Sequence, residues 1–517
     1  MTLNAAPGTT RTITGLVPGT YTVVLEGLVA GQVESYGETA GVVVSAGTNT
    51  PVSVTLGSFV PVISAPSVHS FQSPVPIRFD AVQGAIAYQV DVGTDTAFTS
   101  NVTTSTVGSN TLDIPVSGRT SFTVRVRSVN RFGGLSRASA HAVVTMDIVL
   151  EVSVRQAMAL ALNGSQQNQL TLAGMQGLIT DEFVSASNTA FHGQLDARGT
   201  PAGDVQLSWL YSTLQTVRQG ARALAVHHGP NASAAPTVAA MRSIEGFAEI
   251  WLAESFCSGV TSGDLVNGRM SIGPARPTVQ VLQDADAAFT QSLSASATLE
   301  ARVGRARARL GLGSLSGAAA DAAQVPTSFL SVVQPATNGL WQLTNEGRIS
   351  VADREGSNGI AFRTMNDPRV PWQDAQQAGQ DGQTPLFRQL VASQSNSPIT
   401  LASGIEARLI DAEVALRSGN VQSFLSSHNG LRASRGLQGV STFPTTDQAV
   451  DFHFAERAMW LFSSAHRLGD LRRLVRQYSR SAVSVFPTGQ YPKGGSYGSD
   501  VNLPIPSAWG TCIDRAA

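Results

Sequence analysis

Residues Ala455–Leu474 read AERAMWLFSSAHRLGDLRRL, and the charges in this stretch repeat at helical spacing. Asp470 and Arg473 stand three apart and can pair on one helical face, with Arg467 one turn before Asp470. His453-x-x-Glu456 and His466-x-x-x-Asp470 have spacings that a metal ion could use on a single helix face. Arg457, Arg467, Arg472 and Arg473 stand among them, however, and would repel a cation while attracting the carboxylates. The stretch predicts ion-paired helix surface rather than a metal centre.

Working outward, the 3.6-residue period extends back to about Met146. In 206–228 the positions Leu207, Leu210, Tyr211, Leu214, Val217, Ala221, Leu224 and Ala225 share a face. Met241, Ile244, Ala248, Trp251, Leu252 and Phe256 do the same in 236–256, and Ile405, Leu409, Ala412 and Leu416 in 405–416. Arg305–Val325 and Ile405–Arg432 each read as two helices broken at glycine, at Gly311–Gly313 and Gly419-Asn420. Ala306, Ala318 and Ala322 would let such helices approach closely, as tetratricopeptide-like pairs require. His227-His228, before Gly229-Pro230, reads as a cationic cap on a helix end. Trp209, Trp251 and Trp460 lie in helical segments and are expected in the core. Between the pairs, 326–400 carries many prolines and little period. A long irregular stretch inside a helical domain is usually functional, and Trp341, Phe362 and Trp372 argue that it is ordered.

Residues 1–146 are written in strand language. Thr10–Leu16, Gly19–Leu28 and Gly41–Leu56 are rich in Val, Thr and Tyr and are separated by turn signals. Ala87–Val92 and Phe122–Arg127 alternate apolar and polar residues. The second region, 60–146, resembles a fibronectin type III module in its Tyr-x-Val strand and its VRVRSVNRFGG strand and turn. Phe79 stands in for that module's early Trp. The expected division is a partial β-sandwich-like segment at 1–58, a fibronectin type III-like (immunoglobulin-type) sandwich at 60–146, and a mostly α-helical domain at 150–517.

Composition narrows the functions. The chain has 517 residues, more than one hydrophobic core holds, and 42% of them are hydrophobic. Thirty-five basic residues against 36 acidic ones leave a net charge of -1, without the basic surplus expected of a nucleic-acid binder. Two cysteines exclude a disulfide framework or a cysteine metal cluster, and no apolar run has transmembrane length. No G-x-S-x-G, P-loop, HExxH or dinucleotide fingerprint occurs, so nothing in the residues argues for an enzyme or a cofactor.

The stretch quoted first resembles the C-terminal signature of the SusD/RagB family of outer-membrane nutrient-binding lipoproteins. Glu456, Arg457, Leu461, Arg467, Asp470, Leu471 and Arg473 match; Trp460, Ser464 and Ala465 depart. Gly174–Phe183 is similar to the family's early Asp-Glu segment. Arg305–Val325, Glu406–Glu413 and His428–Arg432 are similar to its helix pairs, and Val501–Pro506 to its final Ile-Pro. The resemblance covers about 150–517. It implies non-catalytic binding of oligosaccharides for delivery to a SusC-like TonB-dependent transporter at the cell outer membrane. A peptide-binding homologue and a helical-repeat protein-interaction scaffold are the alternatives.

Affinity in this family generally comes from aromatic faces and polar loop groups. That makes Trp341 and Trp372 the first ligand-binding candidates, with Asp367 and Arg369 beside Trp372, and then Tyr491 and Tyr497 in a Gly-rich stretch. Export, also implied by the resemblance, favours a Cys257–Cys512 disulfide over two buried thiols. Neither a signal segment nor an anchoring cysteine opens the sequence, and 1–58 reads as the end of a β domain. The expectation is an upstream extension supplying the missing strands, the signal and a lipobox cysteine.

Overall fold

The computed structural model describes residues 4–6, 8–64, 68–69, 75–115, 121–146, 151–164, 170–229, 232–266 and 269–515. The chain divides into two compact units, Met1–Ile148 and Val149–Ala517.

The first unit is all β. Strands Gly19–Val29 and Gln32–Val44 form an antiparallel hairpin, with Gly57–Ser58 on the far side of the second strand. The expected strand at Thr10–Leu16 does not form, and the one expected over Gly41–Leu56 stops at Val44. A five-stranded sheet follows, in the order Val68–His69, Ala142–Met146, Ser121–Asn130, Ala85–Gly93, Thr103–Val107. Val75–Arg78 pairs separately with Thr111–Ile114.

Alternation explains the packing. Phe122, Val124 and Val126 leave one face of their strand and join Val75, Ile77, Phe79, Tyr88, Val90, Val92, Ile114 and Val144 in one core drawn from both sheets. Each such side chain contributes about 1.5–3 kcal/mol by leaving water. Phe79 meets Tyr88 edge to face at 4.8 Å. The segments 1–58 and 60–146, separate in the sequence reading, are one unit because Val33, Tyr36 and Phe59 bury against Val82 and Ala85.

The second unit is mainly helical, with short two-stranded sheets. Val205–His228 packs on Ala235–Ser255, which packs on Thr278–Ala295, followed by Leu299–Gly311 and Leu315–Ala322. Asp204 caps the first of these by accepting from the Gln206 N–H, and His227 and His228 sit in its last turn. Close approach around Phe289 depends on glycine. A Cβ at Gly246 would lie 2.6 Å from that ring, and one at Gly304 2.3 Å. The two expected helix pairs form, as Leu299–Gly311 with Leu315–Ala322 and as Gly404–Arg417 with Val421–Ala433. Arg305 grips Asp321 through two hydrogen bonds of 2.7 and 2.8 Å across the first pair.

The segment 326–400 is less irregular than its sequence suggests. It holds the helix Gly339–Asn345 and the strands Leu330–Val333, Ile349–Val351, Trp372–Ala378, Pro385–Gln389 and Ile399–Ser403. Cys257 and Cys512, 255 residues apart, are joined by a disulfide. No described helix is long and apolar enough to cross a membrane.

Candidate functional site

The hairpin Trp372–Ala378/Pro385–Gln389 gathers the aromatic surface. Its register sets Trp372 opposite Gln389 and Asp374 opposite Phe387, so Trp372 and Phe387 share a face. Their rings meet edge to face, with centroids 5.6 Å apart. The Arg363 guanidinium lies 3.6 Å from the Phe387 centroid, a cation–π contact that also covers the ring. Burial lowers the Arg363 pKa, opposed by the charges of Asp353 and Asp374. Trp372, Phe387 and Arg363 are half-buried, while Gln373, Asp374, Gln376 and Gln377 are exposed beside them. Between Asp374 and Ala378 the ladder is interrupted, and Asp374 Oδ1 accepts from the Gln376 N–H at 2.7 Å. That bulge leaves glutamine side chains outside the regular pairing.

Two anchors hold the hairpin. On one side the Ser350 hydroxyl donates to the Pro385 carbonyl and accepts from the Phe387 N–H, both at 2.8 Å. At the turn, the Asp381 carboxylate accepts from the N–H groups of Gln383 and Thr384 and from Lys493 Nζ at 2.7 Å. Burial would raise Asp381; these donors outweigh it and hold its carboxyl well below the usual range. Lys493, the only lysine in the chain, also donates to the Ser185 carbonyl.

Lys493 sits between Tyr491 and Tyr497, and the structure brings those two tyrosines together. Their ring centroids are 5.2 Å apart, and the residues are only 7% and 9% exposed. Tyr491 donates to Asp196 Oδ2 at 2.8 Å, and Tyr497 donates to Glu355. Burial pushes Asp196 up to about 7 despite the Ser185 N–H and the Tyr491 hydroxyl, and it pushes Glu355 up to about 8 with the Asp196 charge adding to the rise. Sequence reasoning offered these tyrosines as stacking platforms. Here they face each other, with both hydroxyls engaged.

The remaining candidates lie apart from the tyrosines. Trp341 is half-buried on the helix Gly339–Asn345 and has no ring contact among the described residues. Arg369 is buried and binds both oxygens of Asp367, at 2.8 and 2.6 Å, and both oxygens of Glu456, at 2.7 and 3.0 Å. It also lies 5.1 Å from the Trp460 ring. Phe387, Arg363, Asp196 and Glu355 were not singled out in sequence. The Leu-Phe-Arg run at Leu386–Arg388 was the one available signal.

The charges of the C-terminal stretch are paired but buried, which corrects the expected surface. Turns and neighbouring helices supply the partners that lie remote in sequence. Arg467 holds Asp181 at 2.6 and 2.8 Å across 286 residues. Asp470 accepts from Arg457 at 2.8 Å and from Arg473 at 2.9 Å, and Arg432 joins Arg369 on Glu456. Burial alone would raise Asp470 and Glu413; the arginines around them reverse the sign and hold both low. His453 bridges Glu413 at 3.1 Å and His428 at 3.0 Å, and burial lowers both imidazoles. Among the described residues no three His, Cys, Asp or Glu side chains are placed to hold a metal ion.

No protein-family model matches this sequence, and a search of curated proteins gives no match. Solved structures do match. Surface glycan-binding protein A from Bacteroides thetaiotaomicron superposes with a TM-score of 0.53 at 11% identity, covering 69% of this chain and 95% of that one. The protein of the same name from Bacteroides uniformis gives 0.51 at 12%, covering 69% and 97%. A SusD-like protein from Bacteroides fragilis gives 0.51 at 11%, covering 70% and 94%. The matched share is close to that of Val149–Ala517. The chain therefore carries a SusD-like fold.

Proposed function

We propose that this protein binds glycans without catalysis, at the outer-membrane surface, and passes oligosaccharides to a SusC-like TonB-dependent transporter. The observation that carries the reading is the surface of Trp372 and Phe387, flanked by Arg363, Asp374 and exposed glutamines, on a SusD-like fold. Half-exposed rings beside amides and a carboxylate suit the apolar faces and hydroxyl rims of sugars. Trp372 supplies the stacking face in this reading. Tyr491, Tyr497 and Lys493 position the hairpin through Asp196, Glu355 and Asp381, and Arg369 with Asp367 braces the segment behind it. Met1–Ile148, whose second region we take as a fibronectin type III-like module, serves as a spacer.

The test is a glycan and peptide array on the full chain, followed by titration of the Trp372→Ala variant. Loss of about 0.5–1.5 kcal/mol of stacking should weaken glycan binding up to about tenfold with thermal unfolding little changed. Unchanged affinity with a lowered melting temperature would assign Trp372 to packing, and binding to peptides alone would replace the glycan reading.

A further inference from the structure

Several arginines of the helical unit present the fork made by Nε and Nη2 to one carboxylate. Arg467 presents that edge to Asp181, Arg305 presents it to Asp321, and Arg307 presents it to Glu254. This edge matches the geometry of two parallel charge-assisted hydrogen bonds.

Arg472 has no carboxylate on that edge. It is fully buried, and Nη1 donates to the Ala253 carbonyl at 2.7 Å, which ties helix Arg467–Tyr478 to helix Ala235–Ser255. Its Nε and Nη2 are buried without an acceptor, and no other buried arginine among the described residues leaves two nitrogens so. One turn on, Nε of Arg476 is also buried and unpartnered. The two guanidinium charges act on each other, and burial with that repulsion brings Arg472 down to about 9. Glu254 is the carboxylate both arginines feel, but Arg307 already occupies both of its oxygens. Asp514 also acts on Arg472, from an exposed position. Two cations therefore converge where the local carboxylate is spent. Leaving buried donors and charge uncompensated is costly, so the position favours an acceptor with negative charge.

We infer that the Nε/Nη2 edge of Arg472, flanked by Arg476, is a binding site for a small monovalent inorganic anion such as chloride. The anion completes the fork that carboxylates complete elsewhere and offsets the repulsion between the two arginines. It fastens the C-terminal helix to Ala235–Ser255, and it is independent of the glycan reading.

The experiment is thermal unfolding of the full chain at constant ionic strength, replacing sodium gluconate stepwise by sodium chloride. A ligand held only by the folded state raises the melting temperature with the logarithm of its concentration above the dissociation constant, by about 3 °C when it is present at about a hundred times that constant. The Arg472→Met variant should lose the chloride dependence, and Arg476→Gln should move the chloride concentration at which the rise begins several-fold higher. Crystals grown in bromide should show an anomalous peak within hydrogen-bonding reach of Arg472 Nε and Nη2, which decides the matter if Arg472→Met does not fold. Equal melting in chloride and gluconate, an unchanged chloride response in Arg472→Met, or water at the fork of the bromide crystal would each overturn the site.

Discussion

Two clusters of buried carboxylates in the helical unit are held by opposite chemistry. Around Asp470 and Glu413 stand the guanidinium groups of Arg457 and Arg473, with His453 and the Tyr478 hydroxyl also on Glu413, and both carboxyls are held low. Around Asp196 and Glu355 the donors are the neutral hydroxyls of Tyr491 and Tyr497, and both carboxyls rise, to about 7 and about 8. Burial is the largest influence in all four cases. The difference lies in whether a cation is close enough to overcome it. The arginine cluster is thus an ionised brace and the tyrosine cluster a protonatable one.

The comparison breaks most visibly at Asp470. Asp470→Asn strips the carboxylate from Arg457 and one of two from Arg473, which should cost about 3–5 kcal/mol in denaturant unfolding. A loss below about 1 kcal/mol would show that the brace contributes little.

A smaller effect belongs to the other cluster. Tyr497→Phe removes the hydroxyl that Glu355 accepts from, costing about 1–3 kcal/mol. The cost should be local. Amide exchange should quicken in 489–498 and stay unchanged in Thr446–Trp460; a uniform increase would mean the two clusters unfold together.

Acidity separates the clusters by sign. Asp196 and Glu355 keep protons in the folded chain that the unfolded chain releases near pH 4, so their contribution is full below that and falls as pH rises to about 8. Asp470 and Glu413 are depressed, so their contribution is full above about pH 5 and is lost as pH falls. Protection factors, taken relative to the intrinsic base-catalysed rate, should fall around Tyr491–Gly498 as pH rises from 4 to 8 while those of helix Arg467–Tyr478 hold. Parallel behaviour of both regions would remove the distinction.

The smallest effect is at Lys493, whose side chain is 28% exposed against 14% for Asp381. Lys493→Ala should change global stability by less than about 1 kcal/mol, since partly exposed pairs are screened. It should nevertheless release the turn at 379–384, read as faster exchange there. A rigid turn in that variant would show that the backbone bonds of Gln380 to Gly347 and of Asp381 to Ala186 hold it without the lysine.

What could be read from the sequence follows the distance between partners. Asp470 and Arg473 are three residues apart, so helical geometry alone pairs them. Arg467 with Asp181, and Tyr497 with Glu355, are joined only by tertiary packing, and no local pattern announces either contact. The tyrosines show the same limit. Nothing in their Gly-rich stretch tells that acceptors from the remote positions 196 and 355 draw both rings inside. The helix pairs were legible because Ala318, Ala322 and the glycine breaks act locally. The short strands of 326–400 were hidden among prolines because each needs a partner from elsewhere in the chain.

The link between Cys257 and Cys512 turns the chain between them into a closed covalent ring. Trp372, Lys493, Glu456 and Asp470 lie on that ring, while Asp181 and Asp196 reach it from outside. A single proteolytic cut between 258 and 511 therefore yields one species on a non-reducing gel and two after reduction. Tension applied to the two ends of the polypeptide passes through the sulfur pair, so the candidate hairpin, Ser350 and Lys493 lie off the line of force, while Asp196 and Ser185 lie on it.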